Sequence, residues 1–176
     1  MMTLLAETAL RLIGLFYLFS GVMVVRSLAA SSMADATYAA IMGGPPNRAE
    51  RLREIWLAAG SVLIGAGGLA LMLPIDLAAV LFVLGALQQV VYLGLIAPRF
   101  LDPEDPPDPA GRARTWNAAL VYLVATAIVV GAAWAGLLPS WRDTPAFLLG
   151  LAAGAVLAGV AWTIRALMWR RRAGGD

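Results

Sequence analysis

Residues 55–97 read IWLAAGSVLIGAGGLALMLPIDLAAVLFVLGALQQVVYLGLIA, and Asp76 is the one charged side chain in the stretch. Pro74 and Asp76 divide it into two apolar runs, 55–73 and 77–97. Each is about 20 residues long, enough for a helix to cross a hydrocarbon core of roughly 30 Å. A span in lipid has to satisfy its own backbone hydrogen bonds, and the alternating pattern of barrel strands is absent, so both runs are predicted to be helices. So few residues separate them that they must form a tight antiparallel hairpin, with Asp76 placed to cap the second helix.

The same pattern recurs on either side of the hairpin. Residues 4–25, 116–138 and 146–168 are equally long and apolar, so the expected fold is all-α: a single membrane domain, residues 1–176, built as a bundle of five transmembrane helices. The composition agrees, since 61% hydrophobic and 14% charged residues lie well away from the soluble averages of about 50% and 25%. Between the spans, Asn47 and Glu50 have the form of a capping box that starts the second helix near Arg48. Thr144 followed by Pro145 resembles an N-cap with proline at the first helical position of the fifth. Residues 98–115 form the one long connection, within which 101–111 read LDPEDPPDPAG. Asp102, Asp105 and Asp108 recur every third residue there, and in a polyproline II segment they would share one edge, as a weak cation or partner site or simply as a stiff, solvated linker.

Counting arginines orients the bundle. Arg48, Arg51 and Arg53 follow the first span, Arg99, Arg112 and Arg114 follow the third, and Arg170, Arg171 and Arg172 follow the fifth. Arg142 is alone on the other side between spans. Five helices put the three basic regions on one face, so the positive-inside rule predicts an N-terminus outside and a C-terminus in the cytoplasm, in the cell (inner) membrane. Arg26 and Arg165 fall at the same helix ends; Trp56, Trp116 and Trp169 are assigned to the inner interface and Trp134 and Trp141 to the outer one. Residues 12–25 also resemble a signal-peptide core, with Ser27-Leu28-Ala29 as a cleavage site. Cleavage would move Arg48, Arg51 and Arg53 outside and invert the charge pattern, so the first helix is expected to be retained, with residues 27–44 either on the interface or extending the helix.

The chain has no Cys and no His, which removes disulfides, thiolate and imidazole metal sites, and imidazole acid–base chemistry. No catalytic residue, metal site or cofactor is predicted. The net charge of +2 fits orientation in a bilayer rather than a nucleic-acid surface.

Polar residues within the spans are therefore the places to look for function. Glu7 and Arg11 are four apart on the first span and form a candidate interfacial ion pair, either a helix anchor or a site for an anionic group. Gln88, Gln89 and Tyr92 on the third span, with Thr126 and Asn117 on the fourth, are candidates for an intramembrane polar site. They would act as an interhelical hydrogen-bond clamp or as a cavity for a quinone, lipid or small amphiphile. Small residues at four-residue spacing mark packing faces: Ser61 and Gly65 on the second span, Ala127, Gly131 and Ala135 on the fourth, Gly150, Gly154 and Ala158 on the fifth. The last of these suits internal packing, a homo-oligomer or a membrane partner subunit.

The opening ALRLIGLFYLFSGV, residues 9–22, followed by a less regular segment and a tight helix hairpin, resembles the DoxX-like group of small bacterial membrane proteins. The likeness covers the first half of the chain. It departs where that group usually has four helices and often a basic residue after the Ser-Gly pair, and it implies no settled activity. The functional expectation is a non-enzymatic accessory or interaction subunit; the alternative is a small-molecule or lipid carrier or channel with a polar cavity between the third and fourth helices.

Overall fold

The computed structural model describes the backbone of residues 2–42, 48–102 and 108–173, and side chains within residues 4–31, 51–102 and 108–165. The described residues are helical throughout apart from short turns, with no strand among them. Five helices are long and apolar enough to cross a membrane.

The first, α1, runs unbroken from Met2–Met42, about 60 Å at 1.5 Å per residue and therefore well beyond the membrane-spanning portion Leu4–Ser31. Of the two expectations for residues 27–44, the described backbone follows helix extension. The second, α2, spans Arg48–Met72, so it begins where the capping box placed it; the Asn47 and Glu50 side chains that would make the box lie outside the described residues. The hairpin turn brings α3, Leu77–Val91, back against α2. Asp76 occupies the position before α3 but makes no side-chain cap. Its carboxylate instead accepts from the Trp141 N–H at 2.9 Å, and its own N–H donates to the Pro139 carbonyl at 2.9 Å. Asp76 thus ties the hairpin to the connection between the last two helices.

Beyond Val91 the helix widens into a π-helical segment, Tyr92–Leu101, with Pro98 inside it. Residue 98 was expected to open the loop. In an α-helix Pro98 would remove a hydrogen bond and crowd the carbonyl four residues back. The wider turn moves the bonding one residue further, as in Asp102 N–H to Ala97 O at 2.9 Å, and the helix passes through the proline. Helix α4, Pro109–Trp134, then starts inside the expected loop: the Asp108 carboxylate accepts from Gly111 N–H at 3.1 Å, with Pro109 in the first turn. Asp102 has right-handed helical dihedrals and Asp105 lies outside the described residues, so a shared carboxylate edge is not formed by the two that are placed.

Helix α4 ends earlier than its apolar run. Gly136, at φ +71°, supplies the left-handed residue of a Schellman turn, with Gly136 N–H on Ala133 O at 3.1 Å and Leu137 N–H on Ala132 O at 3.0 Å. A short 3₁₀ turn, Trp141–Asp143, leads to α5, Ala146–Ala173. Thr144 does not cap α5; its hydroxyl turns back to the Ser140 carbonyl at 3.5 Å.

Packing is chiefly sequential, α1 on α2, α2 on α3, α3 on α4, while α5 lies against α1 and α2. The core sits among α1 to α4, where Tyr17, Phe82 and Tyr122 meet. Phe82 and Tyr122 stack at 5.4 Å and 10°, and Tyr17 stands edge-on to both at 5.4 and 5.1 Å, the offset and T-shaped arrangements aromatic quadrupoles favour. Leu10, Leu71, Ile75, Val129 and Leu138 close the core towards the hairpin end. Helix α5 contributes little to this core and keeps Phe147, Leu151 and Leu157 exposed.

Candidate functional site

Gln88 projects from α3 onto α2, where its Nε2 donates to the Trp56 carbonyl at 3.0 Å. Gly60 makes the approach feasible: a Cβ there would stand 2.6 Å from Gln88 Oε1. The amide fills a notch in the α2 backbone and works as an interhelical clamp. Gln89, next along α3, is half-buried. Thr126 is buried on α4 and spends its hydroxyl on its own helix, donating to the Tyr122 carbonyl at 2.8 Å. Asn117 is exposed. Between α3 and α4 the space is filled by rings: Tyr122 crosses to Gly85, where a Cβ would collide with the hydroxyl. The five candidates therefore do not converge on one cavity.

Tyr92 leads elsewhere. Its hydroxyl accepts a hydrogen bond from Arg53 on α2 and lies within electrostatic reach of Asp102 and Arg112. Arg112, on the first turns of α4, forms an ion pair with Asp102 at the end of the π-helical segment, both side chains about three-quarters buried. Arg53, Tyr92, Asp102 and Arg112 thus form a polar cluster joining α2, the π-helical segment and α4 at the arginine-rich end of the bundle. Sequence reasoning assigned Arg53 and Arg112 to topology and Asp102 to a linker. Their spacing gave no warning, because only the π-helical detour through Pro98 carries Asp102 back towards Arg112. Among the described residues, no three potential metal ligands gather.

Glu7 and Arg11 are paired at 2.5 Å across one turn of α1, with side chains roughly half exposed. They face outward, where an anchor would.

The small-residue faces divide into two kinds. Ser61 and Gly65 meet Gly21 of α1: a Cβ on Gly21 would lie 2.7 Å from Ser61 O and 3.0 Å from Gly65 Cα. One helical stretch away, a Cβ on Gly14 would lie 2.7 Å from Gly68 O. Gly14 and Gly21, seven residues apart and so on one face of α1, went unrecognised in the sequence as the partners of this seam. By contrast Gly131, Gly150 and Gly154 have open space at the Cβ position, and with Ala158 they are exposed.

Where α5 crosses α1 and α2, small residues of all three helices leave a crevice of about 180 Å³ lined by Gly21, Val25, Gly65, Gly159, Trp162 and Thr163 among others. Its two hydroxyls are satisfied within their own helices, Ser61 on Leu57 O at 2.7 Å and Thr163 on Gly159 O at 2.8 Å, so the wall presented to an occupant is apolar.

No family model, curated protein or solved structure matches this chain. The resemblance of the opening helix to the DoxX-like group therefore stands on its quoted residues alone.

Proposed function

We propose that the protein is a non-enzymatic accessory or interaction subunit of the cell (inner) membrane, with α5 as its docking helix and its C-terminus in the cytoplasm. The observation that carries this reading is the contrast between glycines. Gly14, Gly21 and Gly68 on the α1–α2 seam have backbone atoms of the facing helix within 3 Å of a Cβ position, whereas Gly150 and Gly154 meet nothing within 4 Å. Helices in lipid associate where small residues let backbones approach, and α5 offers such a face unused. Beside it, Phe147 and Leu151 are 72% and 71% exposed, large apolar surfaces able to pack around a second helix.

The absence of Cys and His supports a non-enzymatic role, and the arginine distribution supports the orientation. A carrier with a cavity between the third and fourth helices draws less support, because Gln88 is engaged with α2 and Asn117 is exposed.

The test is the paired substitution Gly150→Leu with Gly154→Leu. If α5 docks, the purified variant keeps its thermal unfolding midpoint but loses particle mass by light scattering in lipid nanodiscs, or loses a co-purifying membrane subunit. Unchanged mass together with unchanged subunit recovery would overturn the reading.

A further inference from the structure

Helices α4 and α5 flank the bundle, α4 packed on α3 and α5 on α1 and α2. Each leaves one face uncovered, and the two faces carry the same order of side chains. On α4, Gly131 has open space at its Cβ position. Trp134 stands three residues nearer the hairpin end, Ala127 four residues the other way and Asn117 fourteen. On α5, Gly150 is equally open. Phe147 stands three residues nearer the hairpin end, Gly154 four residues the other way and Arg165 fifteen. At about 100° per residue, each set falls within about 60° of its glycine, so each makes a single face. At 1.5 Å per residue, Asn117 and Arg165 lie about 21 to 23 Å along the helix from those glycines, a match in depth.

Trp134 and Phe147 are the most exposed of the large apolar side chains described, at 90% and 72%. Asn117 and Arg165 are exposed too, and neither has a hydrogen-bond or ion-pair partner among the described residues. A ring beside a glycine is bulk beside a notch. The two spans run in opposite directions, so α4 of one copy meets α5 of another antiparallel in the same membrane. Set face to face in that way, the ring of each helix lies against the small residues of the other. The Arg165 guanidinium, which only donates, is then level with the Asn117 amide oxygen, which accepts. Pairing α5 with α5 lacks this fit. Two copies inserted the same way bring those helices together in parallel, which sets Phe147 on Phe147 and Arg165 beside Arg165, a like-charge contact.

We propose that the partner docked on α5 is a second copy of this chain, received on its α4 face, so that copies join head to tail. This rests on the reading of α5 as a docking helix and names what it docks. The contact is heterologous, each copy giving one face and receiving on another, and such contacts build rings where the rotation between copies closes.

The chain contains no cysteine, so disulfide trapping tests the pairing directly. Two differently tagged full-length copies are co-expressed, one with Ala127→Cys and the other with Gly154→Cys, and oxidised in native membranes. A linked dimer carrying both tags is expected, because small residues at a helix seam bring Cα atoms within the roughly 4.4–6.8 Å that a disulfide spans. Neither variant expressed alone should link. Adding Arg165→Gln should lower the linked fraction about fivefold, the scale of one interhelical hydrogen bond in lipid, and Asn117→Asp should raise it only where Arg165 is present. A dimer from Gly154→Cys alone would overturn the proposal in favour of α5 on α5, and an undiminished yield with Arg165→Gln would show the linked pairs to be chance encounters. If no doubly tagged dimer forms while Gly150→Leu with Gly154→Leu still loses a co-purifying subunit, the second copy is wrong as the partner and α5 remains a docking helix; if neither effect is seen, both readings fall.

Discussion

Tyr122 carries a hydroxyl into the middle of the bundle, where it is fully enclosed and has no hydrogen-bond partner among the described residues. An unsatisfied buried hydroxyl costs about 1–3 kcal/mol, while the ring to which it is attached contributes packing on both faces. The two parts of the side chain therefore pull in opposite directions. Tyr122→Phe is expected to leave the thermal midpoint unchanged or raise it, whereas Tyr122→Ala, which empties the space between Phe82 and Tyr17, should cost about 3–5 kcal/mol; thermal unfolding of the two variants in one detergent measures the difference. Gln88 is the opposite case, since its amide is used. Gln88→Leu removes the bond to the Trp56 carbonyl and is expected to lower stability by about 1 kcal/mol, the usual worth of an interhelical hydrogen bond in lipid. A midpoint above wild type in that variant would show that the clamp contributes nothing. The sequence made Gln88 visible as a buried amide that needed a partner, but not Tyr122 as an orphan. A tyrosine's need for a partner is the same everywhere, and whether it finds one depends on which helix lies opposite.

Helix α1 is held to α2 by close backbone approach rather than by large side chains. A Cβ on Gly68 would sit 2.5 Å from the Leu18 nitrogen, and on Gly14 2.7 Å from the Gly68 carbonyl. Backbone cannot swing aside as a side chain can, so Gly68→Ala should push the helices apart at a cost of about 1–3 kcal/mol, the range for overpacking. Gly150→Ala, into open space, should be neutral or favourable through helix propensity. Comparing the two midpoints by fluorescence-detected gel filtration after heating checks the seam; equal midpoints would remove it. How far elements were legible follows from what sets each boundary. The hairpin was legible because Pro74 and Asp76 are local breaks in an apolar run, and the start of α2 because Asn47 and Glu50 have the spacing of a capping box. The end of α4 was not, although Gly136 marks it: in lipid the apolar run 116–138 extends past the helix, and hydropathy hid the turn. The π-helical passage through Pro98 was read as a loop because proline ends an α-helix, and nothing local announces a wider coil. The α1–α2 seam was half legible. The spacing of Ser61 and Gly65 showed that α2 packs something, but spacing within one helix does not say which neighbour it meets.

At the scale of the whole molecule, the five helices divide the chain's charges between two ends. The Asp76 bonds to Pro139 and Trp141 bring the hairpin and the α4–α5 connection to one end. Arg53 beside the Tyr92 hydroxyl, and the Arg112–Asp102 ion pair within its electrostatic reach, bring α2, the π-helical segment and α4 together at the other. Arg53 and Arg112, far apart in sequence, therefore share one end of the bundle, which the counting of arginines by loop had assumed. The orientation proposed above, from the positive-inside rule, puts that end in the cytoplasm. The chain contains no cysteine, so single introduced thiols report on topology without removing a native one. Asp143 lies exposed in the 3₁₀ turn at the hairpin end, and Arg114 lies exposed on the first turns of α4 at the arginine-rich end. With a membrane-impermeant maleimide, Asp143→Cys is expected to label in intact spheroplasts and Arg114→Cys only after permeabilisation. The reverse pattern would place the arginines outside. Labelling of both from one side would be incompatible with the membrane crossing of α4, because Arg114 lies near the start of that 26-residue helix and Asp143 beyond its end, and the helix is about 39 Å long at 1.5 Å per residue.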